Sequence, residues 1–108
     1  MSHAEGGSTE AHGAESHAEG NCTIAKGTSQ HVQGEFNIAD SSASSDATRG
    51  TYAHIVGNGT SVTNRSNAHT LDWDGNAWFA GDVYVGSTSG KNKDNGSKKL
   101  ATETWVSG

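Results

Sequence analysis

The chain has 108 residues, a formal net charge of −5 at pH 7, 15 glycines, no proline and one cysteine. This length allows at most one ordinary domain. The chain has only seven Lys and Arg residues, and this low number argues against a nucleic-acid-binding protein because phosphate affinity depends on clustered cations. Only 31% of the residues are hydrophobic, which places the composition in the disordered range. The first third is therefore either disordered or ordered as a repeat that stacks on itself and on copies of itself.

The sequence also has few features that indicate export or disulfide formation. No run approaches the ~20 apolar residues of a membrane span, and the N-terminus lacks the basic start and apolar stretch of a signal peptide. We therefore expect no membrane insertion. Cys22 is the lone cysteine and cannot form an internal disulfide, which fits assembly in a reducing cytoplasm.

A 14-residue repeat begins at the N-terminus. The sequence Ser-His-Ala-Glu-Gly at residues 2–6 returns at residues 16–20 and, as Gln-His-Val-Gln-Gly, at residues 30–34, so His3, His17 and His31 are spaced by 14. A small apolar residue recurs every seven positions, and a glycine follows most of these residues two positions later. Frequent glycine argues against a coiled coil and favours a short strand, a glycine turn and a second strand.

Fourteen residues are thus expected to make one two-stranded coil. Successive coils should stack through parallel backbone hydrogen bonds about 4.8 Å apart, with alanine on one face and the flanking His and Glu on the other. Residues 26–34 align with residues 49–57 at an offset of 23, so the extra residues are placed in the Ser-rich stretch 40–47 as an exposed loop emerging from the stack. The thin alanine face predicts an obligate oligomer.

The large apolar residues are concentrated in residues 71–85. The Asp74-Gly75 pair predicts a two-residue hairpin turn between strands at residues 71–73 and 76–80. Three copies about an axis could pack the aromatic side chains into one interchain core. Residues 86–97 have the composition of a flexible linker, and residues 98–106 could begin a helix.

The repeats resemble the head repeats of trimeric autotransporter adhesins and haemagglutinins. The sequences at residues 30–34, 54–59 and 66–85 are similar to tail-fibre and tail-tip proteins of phages and prophages of Gram-positive bacteria. The resemblance implies a homotrimer whose N-terminal part is a left-handed parallel β-roll. It also implies a location in the virion tail after synthesis in the host bacterial cytoplasm, with other tail-fibre segments and a host-surface glycan or protein as partners.

The predicted fold class is therefore all-β: a homotrimeric left-handed parallel β-roll of 14-residue coils followed by a small β-hairpin or β-prism-like segment. Residues 1–66 are predicted to form the roll with its inserted loop, residues 67–86 the aromatic hairpin, and residues 87–108 a linker and the start of a C-terminal helical or coiled-coil region. The predicted function is structural and adhesive, without enzymatic activity. The alternatives are a self-assembling fibrous protein and a trimeric fibre module that binds metal or cleaves glycans.

Two groups of candidate residues follow from these expectations. The repeat and trimer-interface candidates are His3, Glu5, His17, Glu19, His31, His54, Trp73, Trp78, Phe79 and Tyr84. The candidate receptor contacts are Ser42, Ser44, Asp46 and Tyr52. Each Glu follows a His by two residues on the same face, so a hydrogen-bonded His–Glu ladder is predicted, with no catalytic residue, metal or cofactor. The alternative is a ring of three imidazoles that holds a transition metal.

Overall fold

The computed structural model describes residues 1–85 and the backbone of Lys98–Lys99. Every regular secondary-structure element assigned in this part of the chain is a β-strand, so the all-β prediction is confirmed there. No helix among these residues is long and apolar enough to cross a membrane. Most of the predicted linker and helical region lies outside the described residues, but Lys98–Lys99 forms a short strand where a helix was expected to begin.

The strands follow one another in chain order. They are β1 His3–Gly7, β2 Glu10–Ala11, β3 His17–Asn21, β4 Ile24–Ala25, β5 His31–Glu35, β6 Tyr52–Asn58, β7 Asn67–Asp72, β8 Ala77–Phe79, β9 Tyr84–Val85 and β10 Lys98–Lys99. Long strands alternate with two-residue strands through the repeats, as the glycine spacing predicts.

One six-stranded sheet runs through the molecule in the order β1-β3-β5-β6-β7-β8. Its first four strands are parallel, and His3 pairs with His17, His17 with His31 and His31 with His54. The shorter strands β2 and β4 form a separate parallel pair. The predicted 14-residue coil is therefore confirmed, and so is the longer step of 23 residues after the third coil.

Glycine is required where one coil lies against the next. The φ angle of Gly20 is 109°, and a Cβ atom built on this residue would lie 1.9 Å from the carbonyl oxygen of Gly34. A Cβ atom built on Gly6 would lie at the same distance from the carbonyl oxygen of Gly20. A side chain at these positions would both strain the backbone and separate the coils, which explains why glycine recurs in the repeat.

The apolar core is thin. Ala18, Ala25, Val32 and Ile55 are completely buried and form one cluster, against which Tyr52 packs. The flanking residues on the long strands, such as His17, Glu19 and His31, point outward and are half-exposed, so the predicted alternation of faces is confirmed.

Buried polar side chains complete the interior at intervals of seven residues: Ser16, Thr23, Gln30 and Asn37. Each bonds to the backbone. Ser16 Oγ donates to the carbonyl oxygen of Gly13, and Asn37 both accepts from the Ile24 N–H and donates to the Ile24 carbonyl oxygen. These side chains satisfy backbone groups at the corners of the coils, where no strand partner is available.

The inserted loop is more closely attached to the roll than predicted. Most of residues 40–47 are exposed, but Asp40 and Ala43 are buried. The carbonyl oxygen of Asp46 accepts hydrogen bonds from the Ala14 N–H and from Thr28 Oγ1. The exposed loop predicted for these residues is therefore present, but hydrogen bonds at both ends hold it against the coils.

The aromatic hairpin continues the same sheet. β7 pairs antiparallel with β6, so backbone pairing crosses the predicted segment boundary after residue 66. β7 and β8 form the predicted hairpin, but the prediction of a two-residue turn is wrong. The Asp72 N–H donates to the carbonyl oxygen of Asn76, which leaves a three-residue loop with Gly75 at a φ of 90°. A left-handed last residue is typical of such loops. β9 pairs antiparallel with β10.

Candidate functional site

Five imidazole rings lie one above another along the six-stranded sheet. They belong to His3, His17, His31, His54 and His69, and we call them the histidine ladder. Successive ring centroids are 4.7, 5.0, 5.2 and 5.8 Å apart. Register explains the first four rings, because equivalent positions on adjacent strands lie about 4.8 Å apart.

The fifth ring has a different origin. His69 belongs to no repeat and pairs across the antiparallel strands with Val56, so its ring reaches His54 diagonally. Phe79 on β8 stacks on His69 with a centroid distance of 4.4 Å and extends the stack. The sequence analysis missed His69, since no repeat signal marks it.

A row of carboxylates accompanies the ladder. His31 Nε2 lies 3.1 Å from Glu19 Oε1 and forms a hydrogen bond with it, while His17 Nε2 lies 3.7 Å from Glu5 Oε1 and 3.8 Å from Glu19 Oε2. In the next coil Gln33 occupies the glutamate position and contacts His54 at 3.2 Å. The predicted hydrogen bonding between His and Glu therefore occurs between coils of a single chain.

Charge in the ladder is uneven. The hydrogen bond with His31 lowers the pKa of the Glu19 carboxyl; burial opposes this shift, and the charges of His17 and His31 reinforce it. The pKa of His54 is lowered by burial first and then by the neighbouring charges of His31 and His69. The neutral imidazole is thus favoured at His54 and the carboxylate anion at Glu19.

One ring nitrogen of the ladder has no hydrogen bond. His17 Nε2 is enclosed and has no hydrogen-bond partner among the described residues. The carboxylates of Glu5 and Glu19 lie 3.7 and 3.8 Å from it, too far for a hydrogen bond. Ligand atoms of His17, Glu19 and His31 lie within 4.8 Å of one another, as do those of His3, Glu5 and His17. Imidazole nitrogens and carboxylate oxygens are ligands of transition metals.

The aromatic candidates do not form one cluster in a single chain. Trp78 lies in register with Thr70 and Ile55, which puts it on the core-facing side of the sheet, yet 52% of its surface is exposed. Its ring meets Tyr52 edge-on at 6.5 Å. Phe79 points to the opposite side, beside His69, and is also exposed.

The remaining interface candidates are half-buried. The guanidinium of Arg49 lies 4.2 Å from the centroid of the Trp73 ring, a cation–π contact. Tyr84 lies on β9. Trp73 has no ring contact with Trp78 among the described residues.

The candidate receptor contacts are placed in two different environments. Ser44 and Asp46 are exposed in the loop, whereas the hydroxyl of Ser42 donates to Asp40 Oδ1 at 2.6 Å. Tyr52 is half-buried against the apolar core. Ser44 and Asp46 therefore offer polar groups at the surface, although Ser44 Oγ also lies 3.4 Å from Thr48 Oγ1.

No protein-family model, curated protein or solved structure matches this chain.

Proposed function

We propose that this chain is a structural and adhesive segment of a phage or phage-derived tail fibre. Three copies associate as a left-handed parallel β-roll, a stalk or head for host-surface recognition. The observation that carries the proposal is the parallel stacking of β1, β3, β5 and β6, because each coil repeats the backbone bonds of the previous one. Repetition of this kind builds a stiff rod that lengthens by about 4.8 Å per coil.

Exposed aromatic surface supports association of three chains. Trp78 and Phe79 are 52% and 54% exposed, and Trp78 lies on the side of the sheet that is covered elsewhere by the apolar core. An aromatic side chain buries roughly 150–250 Å² when fully covered, so covering the exposed half of each ring removes about 100 Å² from water. At about 25 cal/mol per Å² this contributes about 5 kcal/mol per chain.

Adhesion follows from threefold symmetry. Three identical surfaces on one rod bind repeated host-surface groups with higher avidity than one surface alone. Ser44 and Asp46 provide exposed hydroxyl and carboxylate groups suited to a glycan or protein. The carboxylates of the repeats recur as parts of the scaffold, so the proposed role is binding and not catalysis.

The oligomeric state tests the proposal. Sedimentation equilibrium of the full chain is expected to give the mass of three 11.1 kDa chains. Replacing both Trp78→Ser and Phe79→Ser should yield monomers, while Val62→Ser, which changes another exposed apolar residue, should leave the trimer intact. A monomer at every concentration contradicts the proposal, and mass that grows without limit supports the self-assembling alternative.

The adhesive role needs a separate test. The wild-type chain and a Ser44→Ala, Asp46→Asn variant are applied to an array of bacterial surface polysaccharides. The wild-type protein is expected to bind a defined subset, and the variant to bind it at least ~10-fold more weakly, because a weaker contact counts three times in a trimer. Equal binding by the two proteins would exclude the loop as the receptor-binding surface.

A further inference from the structure

We propose that His17, Glu19 and His31 bind one divalent transition-metal ion of the zinc type per chain. All three ligands come from the adjacent strands β3 and β5 of the same chain. The inference therefore does not depend on the proposed trimer or on a role in a fibre. It goes beyond the metal-free ladder that the sequence favoured.

The distances suit a small ion. Zinc binds imidazole nitrogen and carboxylate oxygen at about 2.0–2.2 Å, so two ligands of a tetrahedral site lie roughly 3.3–3.6 Å apart. Glu19 lies 3.1 Å from His31 Nε2 and 3.8 Å from His17 Nε2 through its two carboxylate oxygens. Small rotations of the carboxylate and the two rings bring these atoms into a coordination shell without moving the strands.

The enclosed nitrogen of His17 is a second observation that favours an ion at this position. Nε2 has no hydrogen-bond partner among residues 1–85, although buried polar atoms are normally paired. It faces Glu19 across a gap that is too long for a hydrogen bond. A cation between the two groups would satisfy the nitrogen and the carboxylate together.

The surrounding ladder holds the ligands in position. The ring of His3 packs on one side of His17, and the ring of His54 packs on the far side of His31. Both ligand rings also stand on paired strands of the sheet. Ligands on regular strands, with rings packed on both sides, are held more accurately than ligands on loops.

Only one such site is expected in each ladder. The group formed by His3, Glu5 and His17 shares Nε2 of His17, and its other two members are more exposed, at 60% and 59% against 38% for Glu19 and 42% for His31. One imidazole nitrogen coordinates one ion, so the two groups exclude each other. One coil further along, Gln33 replaces the carboxylate with a neutral amide and no comparable group is found among the described residues.

The ligand chemistry selects the class of ion. Two imidazoles and one carboxylate suit zinc, copper or nickel, whereas calcium and magnesium prefer oxygen ligands alone. Three protein ligands leave at least one coordination position for water. The ion would join adjacent coils of the roll and stabilise their stacking by mass action.

Calorimetric titration of the full chain with zinc chloride, after chelator treatment and dialysis, tests this site. The expected result is one zinc ion per chain and no binding of calcium chloride. His31→Gln and Glu19→Gln should each weaken zinc binding by at least ~10-fold, because changing even an outer-shell partner of a metal ligand costs 10–100-fold. Glutamine keeps hydrogen bonding at either position, so the roll is expected to stay folded.

Two matched controls separate this site from other His–Glu pairs. His12→Gln removes a histidine that lies 2.7 Å from Glu10 but has no second imidazole in its group, and His3→Gln disables the competing group. His12→Gln should bind zinc like the wild-type chain, whereas His3→Gln, which removes a ring packed on His17, should lose much less affinity than His31→Gln. Wild-type affinity in His31→Gln, or a loss in His3→Gln as large as in His31→Gln, would overturn the assignment.

A measurement on the wild-type chain avoids any effect of substitution on folding. Imidazole NMR signals of His17 and His31 should shift on addition of one equivalent of zinc chloride, while those of His12 stay in place. Failure of the wild-type chain to bind zinc, or equal shifts for all histidines, would contradict the proposal.

Discussion

Asp40 attaches the beginning of the inserted loop to the roll. It is 2% exposed, and its carboxylate accepts hydrogen bonds from Gln30 Nε2, from the N–H groups of Thr51 and Tyr52, and from the hydroxyl and N–H of Ser42. Burial alone would raise its pKa, but the hydrogen bonds from Ser42, Tyr52 and Thr51 outweigh burial and lower the pKa below its ordinary value. One buried anion thus organises a segment with almost no apolar residues.

Replacing this carboxylate is expected to destabilise the protein strongly. Asp40→Ala leaves the part-buried N–H groups of Thr51 and Tyr52 without this acceptor, at a cost of about 1–3 kcal/mol for each group that stays shielded from water. We expect the free energy of unfolding to fall by about 3 kcal/mol, measured by urea titration with circular dichroism. Asp46→Ala, which removes an exposed side chain of the same loop, should change it by less than about 0.5 kcal/mol.

The same carboxylate predicts a pH dependence. Because the pKa of Asp40 is lower in the folded chain than in the unfolded chain, its contribution is complete above the unfolded value of about 3.9 and is lost as the pH falls through the folded value. The free energy of unfolding should therefore decrease from pH 5 toward pH 2. The decrease should be smaller in Asp40→Asn, and identical pH profiles for the two proteins would contradict the role of Asp40.

At the scale of the strand, the close approach of the backbones of adjacent coils limits which residues the repeat can contain. Gly20 would place a Cβ atom 1.9 Å from the carbonyl oxygen of the next coil, whereas a Cβ atom on Gly75 meets nothing within 4 Å. Both residues have a positive φ. Substitutions at these two glycines therefore distinguish the free-energy cost of backbone strain from the cost of forcing the coils apart.

We expect Gly20→Ala to lower the free energy of unfolding by about 3 kcal/mol or more, since strain and steric overlap add. Gly75→Ala, with strain alone, should cost about 1–2 kcal/mol. Urea unfolding of the two variants beside the wild-type chain gives the comparison. Similar losses in the two variants would show that coil spacing tolerates a methyl group.

The strands also show what periodicity predicts and what it omits. Register, the alternation of faces and the outward rows of His and Glu follow from the 14-residue spacing, because equal positions of stacked coils must lie together. The buried polar positions, such as Gln30 and Asn37, were not identified, since a polar residue in a strand-rich repeat reads as exposed. Their own spacing of seven is the signal that could have revealed them.

At the scale of the whole molecule, the balance between a thin core and exposed aromatic side chains determines stability. Four fully buried small or branched residues form the main cluster, while Trp78 and Phe79 stay exposed in one chain. If three chains cover these rings, folding and association are coupled and stability depends on concentration.

The melting temperature of the wild-type chain is therefore expected to rise with protein concentration. In the Trp78→Ser, Phe79→Ser variant it should be lower and independent of concentration, because the surface that drives association is gone. Differential scanning calorimetry over a hundredfold range of concentration makes the measurement. A concentration-independent wild-type melting temperature would count against the trimer.

The sequence by itself determined the period, the coil and the side of the sheet on which each repeated residue lies. These features are local or repeat exactly one coil later, so backbone geometry carries them from one coil to the next. Only the tertiary structure decided that Asp40 anchors the loop, that His69 extends the histidine ladder and that His17 Nε2 is enclosed without a hydrogen bond. Those contacts join segments that share no period, and their positions depend on how the chain returns to the sheet after the repeats end.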